Sequence, residues 1–207
     1  MTDQAGSGLC LHKYHLPGRF FFFLGNTDPK KNTRGTLAAY SSFLKQTGED
    51  IKLVMLDYDR DALNQLVSDI GDRTLTDHII LTGYVNNADL PAIYSQCDLF
   101  LYPSLRESFG IPILEAMACA VPVITGNTSS MPEIAGNAAL LINPHQPEEI
   151  TGAMIRLTKD QQLRQQFSDL GRIRAASFSW RNMAENVLQL YQSVVDKKND
   201  HPVKSKT

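Results

Sequence analysis

At 207 residues, with 43% apolar and 20% charged side chains and a formal net charge of −2, the chain has the size of one large domain and enough apolar material for a globular core. That balance speaks against a nucleic-acid partner and against general binding to membrane surfaces. No apolar run approaches the roughly 20 residues that span a bilayer, and residues 1–6 lack the basic and apolar regions of a signal peptide.

Residues 1–18 read as an irregular segment ending at Pro17-Gly18. Phe20-Phe-Phe-Phe-Leu24 is wholly apolar, as a buried parallel strand should be. Gly25-Asn-Thr-Asp-Pro-Lys-Lys-Asn32 is the turn after it, and Thr33 opens a helix with Leu37, Tyr40 and Leu44 on one face. Lys52 to Leu56 is the second strand, followed by a helix carrying Leu63, Leu66, Val67 and Ile70. His78 to Thr82 is the third, closed by Gly83-Tyr84-Val85. A short helix from Asp89 leads into the fourth strand, Leu99-Phe-Leu-Tyr102, which Pro103 stops.

Gly110 and Pro112 mark the next helix start, with Ile113, Leu114, Met117 and Ala118 turned toward a core. Val121-Pro-Val-Ile124 is the fifth strand and Ala139 to Ile142 the sixth. Strands alternating with helices predict a doubly wound α/β domain on a Rossmann-like, parallel, six-stranded sheet. Glu148 to Leu157 and Gln161 to Ala176 read as two further helices. Ser179 can cap a last one, whose Met183, Val187, Leu190, Tyr191 and Val194 form an apolar stripe. The predicted organisation is an irregular segment over 1–18, the sheet domain over 19–178, a helix over 179–196 and a disordered polar tail over 197–207.

The chemistry gathers on the loop and helix after the fourth strand. Ligands of open parallel sheets sit beyond the carboxyl ends of the strands, where this loop lies. Amides at the start of the helix, from Phe109 to Ile111, suit a phosphate. Glu107 and Glu115 bracket that site and can accept hydrogen bonds from sugar hydroxyls. Spacing alone also allows two ordinary helix-end acids. Lys30 and Lys31, after the first strand, can reach a diphosphate at neighbouring strand ends or form a solvated loop pair. Ser129 and Glu133 read as helix capping. Cys10, Cys97 and Cys119 lack metal-like spacing, so free thiols in a reducing cytosol are expected, and no histidine joins acids in a metal-ligand pattern.

Glu107-Ser-Phe-Gly-Ile-Pro-Ile-Leu-Glu115 resembles the E-x7-E signature of the family 4 retaining glycosyltransferases. Ser129-Ser-Met-Pro-Glu-Ile-Ala-Gly136 and Ala138-Ala-Leu-Leu-Ile-Asn-Pro144 follow that family's pattern in order and spacing. The resemblance runs from about Phe20 to Tyr191 and is to the donor-binding, C-terminal half of a GT-B enzyme, mannosyltransferase-like subgroup. Ser108 and Ala120 stand where the pattern has glycine, Lys30 where it has Arg, and Asn26 where many members carry Arg.

The resemblance implies a nucleoside-diphosphate sugar as donor, GDP-mannose-like, a glycan or lipid-linked acceptor, retention of configuration and no metal or other cofactor. It gives Glu107 and Lys31 catalytic roles, Glu107 on the transferred sugar and Lys31 on the leaving diphosphate. Glu115 is to hold the ribose, Gly83, Tyr84 and Val85 the nucleobase, and Phe109, Gly110 and Ile111 the phosphates, with Ser108, Asn26 and Lys30 also donor-binding. The acceptor half of such an enzyme is not in this sequence, so a truncated form or a donor-binding subunit is expected. The alternative is a noncatalytic sugar-nucleotide-binding module. The last helix is expected to meet an N-terminal-domain partner or a second copy. The expected place of action is the cytoplasm, or the inner membrane face through a partner.

Overall fold

The computed structural model describes residues 12–200. Six strands form one parallel sheet in the order β3-β2-β1-β4-β5-β6, with β1 Phe20–Phe23, β2 Lys52–Met55, β3 Ile79–Leu81, β4 Leu99–Tyr102, β5 Val123–Gly126 and β6 Leu140–Ile142. The helices are α1 Thr33–Thr47, α2 Arg60–Ile70, α3 Leu90–Gln96, α4 Ile111–Ala118, α5 Met131–Ala135, α6 Pro147–Lys159, α7 Gln161–Ala176 and α8 Trp180–Asp200. The chain divides into two compact units, Met1–Ala175 and Ala176–Thr207. The predicted doubly wound sheet is present in the first.

The four phenylalanines of β1 are all buried because both faces of a central parallel strand are covered. Phe21 and Phe23 point into a cluster with Tyr40, Phe43, Leu53 and Met154. Phe22 faces the other way, its ring 5.1 Å from Tyr94 and 5.6 Å from Phe100. Two buried hydroxyls on the first face find partners: that of Tyr40 donates to the Ile51 carbonyl at 2.6 Å, and Thr151 Oγ1 of α6 donates to the Ala39 carbonyl of α1 at 3.0 Å. Gly25 follows β1 because a Cβ there would lie 2.1 Å from the Phe23 ring.

The fifth strand begins later than predicted. Ala120 takes a left-handed φ of 63° and the Val121 amide donates back to the Ala116 carbonyl, so Val121 closes α4 rather than opening β5. The glycine of the family pattern would adopt this φ without strain. Ser108, the other departure, is not among the residues with positive φ, so its side chain meets no such restriction.

Tyr14 is buried, and its hydroxyl donates to Asp89 at 2.6 Å and accepts from the Asn86 amide at 3.3 Å. That part of the segment expected to be irregular is pinned to the loop before α3. At the other end α8 is capped by Ser179, which accepts from the Asn182 amide, and continues to Asp200. The disordered tail expected from 197 is therefore helical over 197–200, while 201–207 lie outside the described residues. Cys97 is buried and Cys119 half-buried, and both are free thiols; Cys10 also lies outside.

Candidate functional site

The strand order reverses between β1 and β4, whose registers pair Phe21 with Leu99 and Phe23 with Leu101. Loops leaving these two strands diverge to opposite sides and leave a crevice beyond their carboxyl ends. The β1–α1 loop supplies Lys31 and the β4–α4 loop Glu107.

Lys31 and Glu107 meet there. Lys31 Nζ donates to Glu107 Oε1 at 2.6 Å and to the Tyr102 hydroxyl at 3.0 Å, and lies 4.8 Å from the Tyr102 ring centroid. The paired side chains are only 16% and 11% exposed. Burial pushes the Glu107 carboxyl up, but hydrogen bonds from Lys31, Ser104 and Tyr102 outweigh it and hold the group below its ordinary value. Tyr102 moves the other way: burial, then the neighbouring Glu107 carboxylate, push its phenol up. Glu107 is thus a carboxylate facing a cation and a neutral phenol. An ammonium has three donors, and these two contacts use two of them.

A second loop supports the first. Ser129 Oγ, on the β5–α5 loop, donates to the Glu107 carbonyl at 2.6 Å and accepts from the Glu107 amide at 3.3 Å. Ser130 Oγ donates to the carbonyls of Glu107 at 3.0 Å and Phe109 at 2.9 Å, and Thr128 Oγ1 to that of Leu105 at 3.0 Å. The capping expected of Ser129 is not what it does. Ser130 is the residue at the α5 cap and its side chain makes no cap bond. Both hydroxyls brace the backbone that carries Glu107.

The remaining expected residues divide. Gly110 has φ 100° at the start of α4, where no side chain caps the helix. Phe109 and Ile111 beside it are 45% and 47% exposed, and Ser108 is exposed. Glu115 accepts from the Tyr94 hydroxyl at 3.0 Å and is otherwise exposed. Burial, then Glu115, push the Tyr94 phenol up, so it stays a donor. Gly83 turns with φ 67° and its carbonyl accepts from the Asp57 amide; Tyr84 is 76% exposed and Val85 buried.

Two expected residues are engaged locally. Lys30 Nζ pairs with Asp28 at 3.1 Å, both exposed, while its carbonyl accepts from the Leu105 amide at 2.7 Å. Asn26 Oδ1 accepts from the Asp28 amide at 2.9 Å, which shapes the turn. Neither side chain is seen with Lys31 and Glu107. A hollow of about 280 Å³ opens beside Asn32, lined also by Arg34, Leu105, Pro144 and His145, and none of the expected donor residues lines it. Sequence reasoning missed Tyr102, Tyr94, Ser129, Ser130 and Asn32. Strand-end and helix-borne tyrosines were legible only as core, although a buried hydroxyl must find a partner.

A sequence profile described as "Glycosyl transferases group 1" matches residues 15–174. The O-antigen chain mannosyltransferase B of Escherichia coli is 35% identical over 186 residues, 88% of this chain and 48% of that protein. A serotype-specific mannosyltransferase of the same organism, WbdA, is 31% identical over 83% of this chain and 21% of its own length. The chain therefore spans half or less of these curated relatives. Among solved structures, a glycosyltransferase from Rickettsia africae superposes with a TM-score of 0.79 at 19% identity, over 93% of this chain and 52% of that one. An Anabaena protein, HepE, solved in complex with UDP and glucose, gives 0.77 at 18% identity, over 93% of this chain and 53% of that one. At such identities the structural likeness is one of fold.

Proposed function

The chain belongs to the group 1 glycosyl transferases, and from that membership and the geometry above we propose that it is the donor-binding half of a retaining hexosyltransferase. The donor is a nucleoside-diphosphate sugar, GDP-mannose-like, and the acceptor a glycan or lipid-linked saccharide. The observation that carries this reading is the Lys31–Glu107–Tyr102 cluster at the crevice between β1 and β4. Relatives named as mannosyltransferases support the sugar.

In this reading the third donor of Lys31 and the first-turn amides at 109–111 take the diphosphate. Charge grows on that group as the glycosidic bond to phosphate breaks, and fixed donors there stabilise the transition state without a metal. Glu107, ionised and braced by Ser129 and Ser130, accepts from hydroxyls of the transferred sugar. Glu115 accepts from the ribose, and residues 83–85 border the base. Neither glutamate acts as a nucleophile; the leaving phosphate takes the acceptor's proton on the same face of the sugar. The partner that brings the acceptor would cover the exposed apolar stripe of α8. The proposed place of action is the cytoplasm or the inner membrane face; among the described residues no helix is long and apolar enough to cross a membrane.

A thermal-shift panel of GDP-, UDP- and ADP-sugars tests donor binding. Ligand at 100 times its dissociation constant adds about 2.7 kcal/mol of stability. No shift with any member would sink the reading. The second reading is a sugar-nucleotide-binding module without transfer. It predicts the same shift but no product when an acceptor-binding partner is supplied.

A further inference from the structure

The residue after Lys31 makes contacts that no part of the proposed chemistry uses. Asn32 lies between the turn Pro29–Lys31 and α1 with left-handed φ 55° and ψ 37°. Its amide donates to the Pro29 carbonyl at 3.1 Å and its carbonyl accepts from the Thr36 amide at 3.0 Å. Its side-chain Nδ2 donates twice, to the Pro103 carbonyl at 3.1 Å and the Pro144 carbonyl at 2.6 Å. Pro103 follows β4 and Pro144 follows β6. One carboxamide therefore joins the start of α1 to the ends of two strands, β4 and β6.

These bonds bracket the lysine. The Lys30 carbonyl accepts from Leu105 on one side of Lys31, and Asn32 donates to Pro103 on the other. Both partners belong to the strand end that carries Tyr102 and Glu107. From α1, Gly35 leaves room for the carboxamide: a Cβ there would lie 2.4 Å from Asn32 Oδ1. Asparagine suits the place on two counts. It tolerates the left-handed region better than most residues, and its amide nitrogen carries two donors for two carbonyls. Aspartate has the first property and lacks the second.

We propose that Asn32 is a positioning residue. It locks the β1–α1 loop to the ends of β4 and β6 so that the Lys31 ammonium is preset between Glu107 and the diphosphate. The proposal rests on the reading of Lys31 as the diphosphate-binding cation. Asn32 itself touches no part of the donor.

The test titrates the full chain with GDP, UDP, guanosine and uridine, and follows the diphosphate that binds the wild type. The variants are Lys31→Ala, Asn32→Gly and the double substitution. Asn32→Gly keeps the left-handed backbone and removes the carboxamide. Asn32→Asp and Gly35→Ala reach the same group if the glycine variant fails to fold. A positioning role predicts that Asn32→Gly weakens the diphosphate about tenfold, the scale of one hydrogen bond, with the nucleoside unchanged. It also predicts that removing Lys31 costs much less in the Asn32→Gly background than in the wild type, because coupled residues are not additive. A lower melting temperature with an unchanged ratio of diphosphate to nucleoside affinity, or additive losses, would make Asn32 a structural clamp only. An unchanged diphosphate affinity in Lys31→Ala overturns the diphosphate reading and the positioning role together. A loss in Lys31→Ala without one in Asn32→Gly overturns the positioning role alone.

Discussion

The two ends of the candidate site are built differently. At the β1 and β4 end, Lys31 and Glu107 are nearly enclosed, paired at 2.6 Å, and supported by hydroxyls from Tyr102, Ser129 and Ser130. At the other end Glu115 is exposed with a bond from Tyr94, and Tyr84 stands 76% exposed. A group held in place before its ligand arrives loses little freedom on binding, which favours affinity and charge stabilisation. Side chains facing water lose more, but can adapt to the ligand. Under the proposed function the charge chemistry falls at the tight end, and base and ribose recognition at the open one.

Substitutions can break that contrast in order of size. Gly25→Ala places a Cβ 2.1 Å from the buried Phe23 ring, at the root of the Lys31 loop. Overpacking of this kind costs about 3 kcal/mol or more, read by urea unfolding; wild-type stability would show that the ring can move aside. Lys31→Met comes next. It leaves the Glu107 carboxylate mostly enclosed without its cation, which costs about 1–3 kcal/mol. Equal stability of the two proteins would mean that the pair is solvated.

The same pair sets a pH dependence. The folded Glu107 carboxyl lies below its ordinary value of 4.5, so the ionised form favours the fold. That contribution is complete above the ordinary value and is lost as pH falls through the lowered one. Asp72 behaves likewise from its ordinary 3.8, held down by Lys45, Ser41 and Thr74, far from the site in sequence. Glu107→Gln should therefore flatten part of the acid limb of stability, and Asp72→Asn another part. An acid limb identical in Glu107→Gln would remove the claim for the site carboxylate.

Smaller effects sharpen the contrast from the open end. Ala120 follows the helix that carries Glu115 and holds φ 63°. Ala120→Gly relieves a left-handed conformation that costs about 1–2 kcal/mol, offset in part by glycine's looser unfolded chain. The expected gain is about 0.5–1 kcal/mol, and a loss of stability would contradict it. Comparable in stability is Glu115→Ala, which removes the acceptor of the buried Tyr94 hydroxyl and should cost about 1 kcal/mol. Its nucleotide affinity should fall roughly tenfold or more, the scale of hydrogen bonds to a charged group. Unchanged affinity for the bare nucleoside diphosphate would take the ribose role from Glu115.

Much of this molecule follows from local pattern. Four phenylalanines in a row and Leu99 to Tyr102 demanded burial on both faces, and helix periodicity between them left few arrangements other than a parallel doubly wound sheet. Glu107, Lys31 and Glu115 stood out because a short motif keeps its spacing along the chain. Pattern also placed the start of α8 at Ser179, since an N-cap is a contact between near neighbours.

Other features needed the fold. The sequence marks Lys31 and Glu107 as separate charges; only the pairing of β1 with β4 places them 2.6 Å apart. Ser129 looks like a helix cap until the loop after β5 is seen beneath the Glu107 backbone. Val121 reads as strand, yet its amide is committed to Ala116 because Ala120 turns left-handed. Asn32 reads as the last residue of a turn, while its partners lie 71 and 112 positions along the chain. Hydrogen bonds over such separations depend on which strand ends the sheet order brings together. Composition and periodicity act over a few residues, so they determine the elements; which loops meet, and hence which polar groups satisfy one another, is decided by the packing of the whole sheet.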